Sequence, residues 1–193
     1  MPSRIIAALT FSMIADHVFA GPFGVVVETF TPEAYNCVLQ DQSSNLFACT
    51  GFPKPHPDIE NYIASFINGI GLCEIFASSA NLPTPGSGAS LRSRIDSISE
   101  QLSIKYGPST KIDLLANGSL WTEEQYWMMG LSKGERNYAY LWVDMEPAVD
   151  GIVSIVLNSF AENIESGSFG ISFYTTNQND CETARKANDA SSF

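Results

Sequence analysis

The chain has 193 residues, 45% of them hydrophobic and 11% aromatic, which suits a packed core and excludes wholesale disorder. Against 21 acidic residues stand only 10 basic ones, and the net charge is −11. Such a surface repels phosphates, so nucleic acid and anionic membranes are poor partners, whereas a basic protein is attracted.

Residues 1–20 read as an export signal. Arg4 is the basic start, Ile5 to Ala15 the apolar run, and Val18-Phe19-Ala20 the cleavage pattern. The run is too short to span a bilayer, which takes ~20 residues. The expected mature chain begins at Gly21 and keeps His56 as its only histidine. No later stretch reaches transmembrane length, so no membrane insertion is expected after cleavage. The expected location is periplasmic or secreted.

Beyond Gly21, Phe23–Glu28 reads as a short strand. Thr31-Pro32-Glu33 then has the form of a helix start, with Thr31 as cap, Pro32 in the first turn and Glu33 at the positive end of the dipole. That helix is expected to run to about Gln40, followed by a strand over Leu46–Thr50. Pro53, Pro55 and Pro57 alternate and lack backbone donors, so this segment reads as a rigid extended crossing. Their spacing does not fit a P-x-x-P ligand.

A hairpin follows, Tyr62–Ile67 and Leu72–Ala77, turned by Asn68-Gly69-Ile70-Gly71. After a turn-rich segment, Leu91, Ile95, Ile98, Leu102 and Tyr106 fall on one helical stripe. Ser90 is the expected cap of this helix and Gly107-Pro108 its stop. Lys111–Leu115, Asn137–Val143, Ile152–Leu157 and Phe169–Tyr174 read as strands, and Thr183–Ala190 as a terminal helix. The expected fold class is α+β, an antiparallel sheet packed against a few helices. It is read either as a single domain over 21–193 or as two similar lobes, 21–107 and 108–193.

Four cysteines in an exported chain read as two disulfides. The sequence leaves three pairings open. Proximity favours Cys37 with Cys49, through a helix turning into a neighbouring strand, and leaves Cys73 with Cys181. Alternation places Cys73, Ile75 and Ala77 on one, inner, side of their strand, because Glu74 marks the other as nearer solvent. No C-x2-C spacing is present, and zinc is not expected.

Several patches, taken together, resemble those of a known group of proteins. They are Phe23-Gly24, Pro53 to Tyr62, Gly71-Leu72-Cys73-Glu74-Ile75, Lys105-Tyr106-Gly107, and Trp127 to Leu131 with Glu135-Arg136. In this order the chain resembles a family of small, uncharacterised exported proteins of Gram-negative bacteria. It departs from them at Thr29-Phe30, where members often carry Gly-Met. The resemblance implies a periplasmic or envelope location and no particular activity.

Candidate chemistry is sparse. His56, beside Asp58 and Glu60, is the one base–carboxylate grouping, and it has no nucleophile near it in sequence. Glu123, Glu124 and Asp113 form a weaker carboxylate set, and the glutamates suit a helix start better. Asp144, Glu146 and Asp150 match no calcium loop, and Pro147 interrupts them. Asn117-Gly118-Ser119 matches a glycosylation sequon, a short and common pattern. The aromatics from Trp121 to Trp142 serve either a core or a ligand groove. No catalytic, cofactor or metal residue is assigned. The expected function is a non-enzymatic envelope protein that binds a basic protein partner or a small ligand, an inhibitor or immunity-type protein among them. A periplasmic hydrolase using His56 with a carboxylate is the alternative.

Overall fold

The computed structural model describes residues 20–41 and 44–190. The expected export signal lies outside the described residues apart from Ala20. The fold is α+β, built on a nine-stranded antiparallel sheet. Strands β1 (Cys37–Asp41), β2 (Leu46–Cys49), β3 (Ile59–Ile67) and β4 (Gly71–Ser79) form one meander. Strands β6 (Thr110–Leu115), β7 (Arg136–Trp142), β8 (Ile152–Asn163) and β9 (Ser166–Thr175) form a second. The two join through β4 and β9, and the short β5 (Leu82–Pro83) pairs with the start of β9.

The apolar stripe forms α1 (Ala89–Tyr106) as its spacing predicts. Leu91, Ile95, Ile98 and Tyr106 are buried, and the helix packs on β5, β8 and β9. Each such aliphatic side chain contributes roughly 1.5–3 kcal/mol by leaving water. Gly107, at φ 82, stops the helix, its N–H donating to Ser103 O at 3.1 Å. The start differs from expectation. Gly88 is the N-cap and no side chain caps it; Leu91 N–H donates instead to Thr84 Oγ1 at 3.4 Å. Gly88 has φ 67, and a Cβ there would overlap the Trp127 ring. A left-handed turn against a buried indole admits no side chain.

A short second helix, α2 (Trp127–Ser132), packs on β7 and β8. Trp127, Tyr138, Tyr140 and Trp142 are buried here, so the aromatic-rich region is largely core.

Two expected elements near the N-terminus are not present. Phe23–Glu28 is not a strand but two 3-10 turns, Pro22–Gly24 and Val27–Thr29. They insert Val25, Val27 and Phe30 into the core without pairing to the sheet. The helix expected from Thr31 to Gln40 ends after one turn. Its cap forms, with Ala34 N–H donating to Thr31 Oγ1 at 3.4 Å. Asn36 then turns left-handed at φ 50, and the chain leaves as β1. The pairing of β1 with β2 outweighs local helix preference.

Both disulfides are present. Cys37–Cys49 joins residues directly opposite each other on β1 and β2, with Cα atoms 4.0 Å apart, rather than a helix and a strand. Cys73–Cys181 joins β4 to α3 (Gln178–Ala190), which begins early enough to include Cys181. Cys73 is buried, but not on the expected side. Register shifts between the pairs Ser65–Glu74 and Phe66–Leu72, so β4 has one residue more than β3 and bulges at Cys73. Leu72, Ile75 and Ala77 stay in the core while Cys73 faces α3 on the opposite face. There Arg185 donates to Ser65 Oγ at 2.6 Å. No helix among the described residues is long and apolar enough to cross a membrane.

Candidate functional site

Four distant segments enclose a cavity of about 350 Å3. The last turns of α1 supply Ile98, Leu102, Lys105 and Tyr106, and β9 supplies Ile171 and Phe173. The remaining wall is Ala20 to Gly24 on one side and Lys54 to Pro57 on the other. The latter segment is not extended throughout as expected: it bends at Pro53-Lys54 and turns at Pro57-Asp58, where Ile59 N–H donates to His56 O at 3.1 Å, and Lys54 N–H donates to Phe23 O at 2.9 Å. His56 N–H donates to Tyr62 Oη at 2.8 Å, and burial pushes the Tyr62 phenol up, so it stays neutral. Phe23 is held at φ 55, a conformation that costs a non-glycine residue roughly 1–2 kcal/mol. Its ring meets Tyr62 and Phe173 edge-on at 4.8 and 5.5 Å, contacts that offset this cost.

The cavity is thus apolar in its interior and basic at its edge. Lys105 Nζ lies 2.7 Å from Asp150 and 3.1 Å from Ala20 O. Tyr106 is 8% exposed, and its hydroxyl has no hydrogen-bond partner among the described residues. Burial, and then the charge of Asp150, push this phenol far up, so it is a neutral donor. An unpaired buried hydroxyl costs ~1–3 kcal/mol, a cost that an acceptor within its reach would remove.

His56 lies on this wall, and the structure brings Asp58 to it. Asp58 N–H donates to His56 Nδ1 at 3.2 Å, which leaves the proton of a neutral imidazole on Nε2, 3.5 Å from Gln101 Oε1. The Asp58 carboxylate is 3.9 Å from Nδ1 and is taken by Arg94 at 3.1 Å. Glu60 stands exposed on β3 and does not join them. Among the described residues no serine, threonine or cysteine lines the cavity.

The other candidate carboxylates are dispersed. Glu124 pairs with Arg92, Glu123 accepts from Gln125, and Asp113 pairs with Arg136. Asp150 pairs with Lys105, while Asp144 and Glu146 lie at a separate hollow. Among the described residues no three histidine, cysteine or acidic side chains converge to hold a metal. Asn117 sits in an exposed turn after β6.

One polar cluster was not legible in the sequence. Asp96 Oδ1 on α1 accepts from Tyr138 and Tyr140 at 2.5 and 2.6 Å, and from Lys111 at 3.1 Å. Burial alone would raise the Asp96 carboxyl; the two phenols and the lysine outweigh it and hold it low. This network ties α1 to β6 and β7. The alternation of Tyr138 and Tyr140 hinted at a shared face, but nothing local points to Asp96.

Fold and site together define a disulfide-cross-linked α+β protein with an apolar cavity edged by basic groups. No known protein family, curated protein or solved structure matches the chain.

Proposed function

We propose that the chain is an exported, non-enzymatic protein that binds a small, largely apolar ligand in the cavity beside α1. The cavity carries the reading: about 350 Å3, walled by Phe23, Ile98, Leu102, Ile171 and Phe173, with the unpaired Tyr106 hydroxyl at its side. Its size lies within the usual range for ligand pockets, and apolar walls with few polar groups are their common form. Binding is favoured over hydrolysis because His56 is engaged with a backbone N–H and, among the described residues, no serine, threonine or cysteine stands beside it in the wall. Export is supported by the leader pattern and by the two disulfides, which persist in oxidising compartments. A periplasmic or envelope location, as the resemblance implies, is part of the proposal.

Calorimetric titration with ten-carbon probes bearing different head groups tests the binding. At least one of decan-1-ol, decanoate and decylammonium should bind the folded protein. Leu102→Trp, which fills the cavity, should remove that binding while leaving the circular dichroism spectrum unchanged. Binding that survives Leu102→Trp undiminished places the ligand elsewhere and defeats the reading. Export is checked separately: protein recovered from the periplasm should start at Gly21 and give no free thiol on titration under denaturing conditions. A different start contradicts the cleavage site.

A further inference from the structure

We propose that the cavity takes a carboxylate with an apolar body, and that cleavage between Ala20 and Gly21 supplies part of the charge that holds it. This rests on the ligand-binding reading above. Among the described residues, three side chains of the wall can carry charge, Lys54, His56 and Lys105, and all three are basic. That is a local reversal in a chain with 21 acidic and 10 basic residues. Among the described residues no carboxylate lines the cavity. Asp150 pairs with Lys105 from outside the lining, which balances that lysine, whereas Lys54 has no ion-pair partner among the described residues.

The chain around Gly21 is itself wall. Gly21 is buried, and its N–H donates to Val25 O at 2.6 Å. A Cβ at this position would meet Val25 O at 3.0 Å and Asp150 O at 3.3 Å, so the backbone is closely seated. In the uncut chain the Gly21 nitrogen is a neutral amide, and Ala20 O occupies Lys105 at 3.1 Å.

Hydrolysis of the Ala20–Gly21 bond changes both. Water's hydroxyl goes to the Ala20 carbonyl carbon, and the nitrogen takes protons to become an α-ammonium with a pKa of about 7.7–8. One proton remains for Val25 O, and two further donors and a full charge are added to the wall. The Ala20 carbonyl departs from Lys105, which frees a donor there. Tyr106, in the same wall, keeps a neutral hydroxyl with no hydrogen-bond partner among the described residues. Together these groups match a carboxylate, an acceptor that gains most from charge-assisted hydrogen bonds. The chain of the ligand lies against Leu102, Ile171 and Phe173.

The test uses decanoate and decan-1-ol at pH 7 on two forms: the processed protein starting at Gly21, and the full 193-residue chain made where disulfides form but no leader is removed. Processed protein should bind decanoate about tenfold more tightly than the full chain does, a gain typical of one added charged contact. Decan-1-ol should bind both forms equally. Equal decanoate affinity in the two forms overturns the role of the Gly21 amine but leaves the cavity reading intact. Loss of both probes in the full chain also overturns it, since the leader then blocks the cavity rather than withholding charge. If neither probe binds either form, the ligand-binding reading itself falls.

Discussion

Cys181→Ser is expected to lower stability by about 4–5 kcal/mol, a substantial part of the roughly 5–15 kcal/mol that native proteins hold in reserve. The bridge to Cys73 closes a loop with a sequence separation of 108, and Cys37–Cys49 one of only 12. On chain-entropy grounds the two crosslinks are worth about 5 and about 3 kcal/mol. Local geometry widens the difference. Cys37 and Cys49 already face each other across β1 and β2, whose pairing holds them near with or without the bond. Cys181 is fully buried, and with Cys73 it is the covalent tie between α3 and the sheet. Replacement by serine also buries a hydroxyl where a sulfur bond stood, which adds to the loss. Urea denaturation of Cys181→Ser and Cys37→Ser should therefore show the former midpoint falling further. Limited proteolysis should release the α3 segment of the former first. Equal shifts in the two variants would mean that α3 is held by its polar contacts, Arg185 to Ser65 among them, and not by the disulfide.

What was legible in the sequence were features with a short period. The stripe from Leu91 to Tyr106 repeats at helical spacing, and it is a helix. The runs on either side of Asn68-Gly69-Ile70-Gly71 are paired strands, β3 and β4. For the disulfides the sequence left three pairings open; proximity favoured the pair that forms, Cys37 with Cys49, though it joins two strands rather than a helix and a strand. Cys73 shows where period-two reasoning fails. A bulge inserts one residue, so every side chain beyond it changes face, and no residue type announces the bulge. Thr31-Pro32-Glu33 shows a second failure. The cap is real, but capping starts a helix without sustaining one, and Cys37 to Asp41 gain more from pairing with β2. The cavity could not be read at all, because Gly21, Lys54, Leu102 and Phe173 meet only after the sheet and α1 have packed. His56 was found, yet what matters about it is the wall it shares with Tyr106, fifty residues along the chain.

Asp96→Asn is expected to cost about 2 kcal/mol at neutral pH and progressively less in acid. The carboxylate is the common acceptor for Tyr138, Tyr140 and Lys111, which approach from β6 and β7. Hydrogen bonds to a charged group are worth roughly 1.5–3 kcal/mol each when sheltered. Asp96 is 40% exposed and Lys111 45%, so water and salt screen part of that, and the asparagine oxygen retains one phenol. Hence the modest total. The sign of the pH dependence follows from linkage. Folding lowers the Asp96 pKa below its unfolded value near 3.8, so its contribution is complete above that value and is lost as pH falls through the folded one. At the alkaline end the order reverses. Burial alone would lower Lys111, but its bonds to Tyr138, Tyr140 and Asp96 raise it; burial and the Asp96 bond raise Tyr138. A raised group contributes fully below its unfolded pKa, about 10 for both, and loses its contribution as pH climbs beyond. Wild type should therefore be most stable on a plateau from about pH 4 to about pH 10, as far as this cluster decides it. Denaturation midpoints of wild type and Asp96→Asn at pH 7, 4, 3 and 2 test the acid limb. The gap between them should close as the carboxylate of wild type takes up its proton. A gap as wide at pH 2 as at pH 7 would show that the substitution acts through packing of α1, and that the charge of Asp96 does not hold the helix to the sheet.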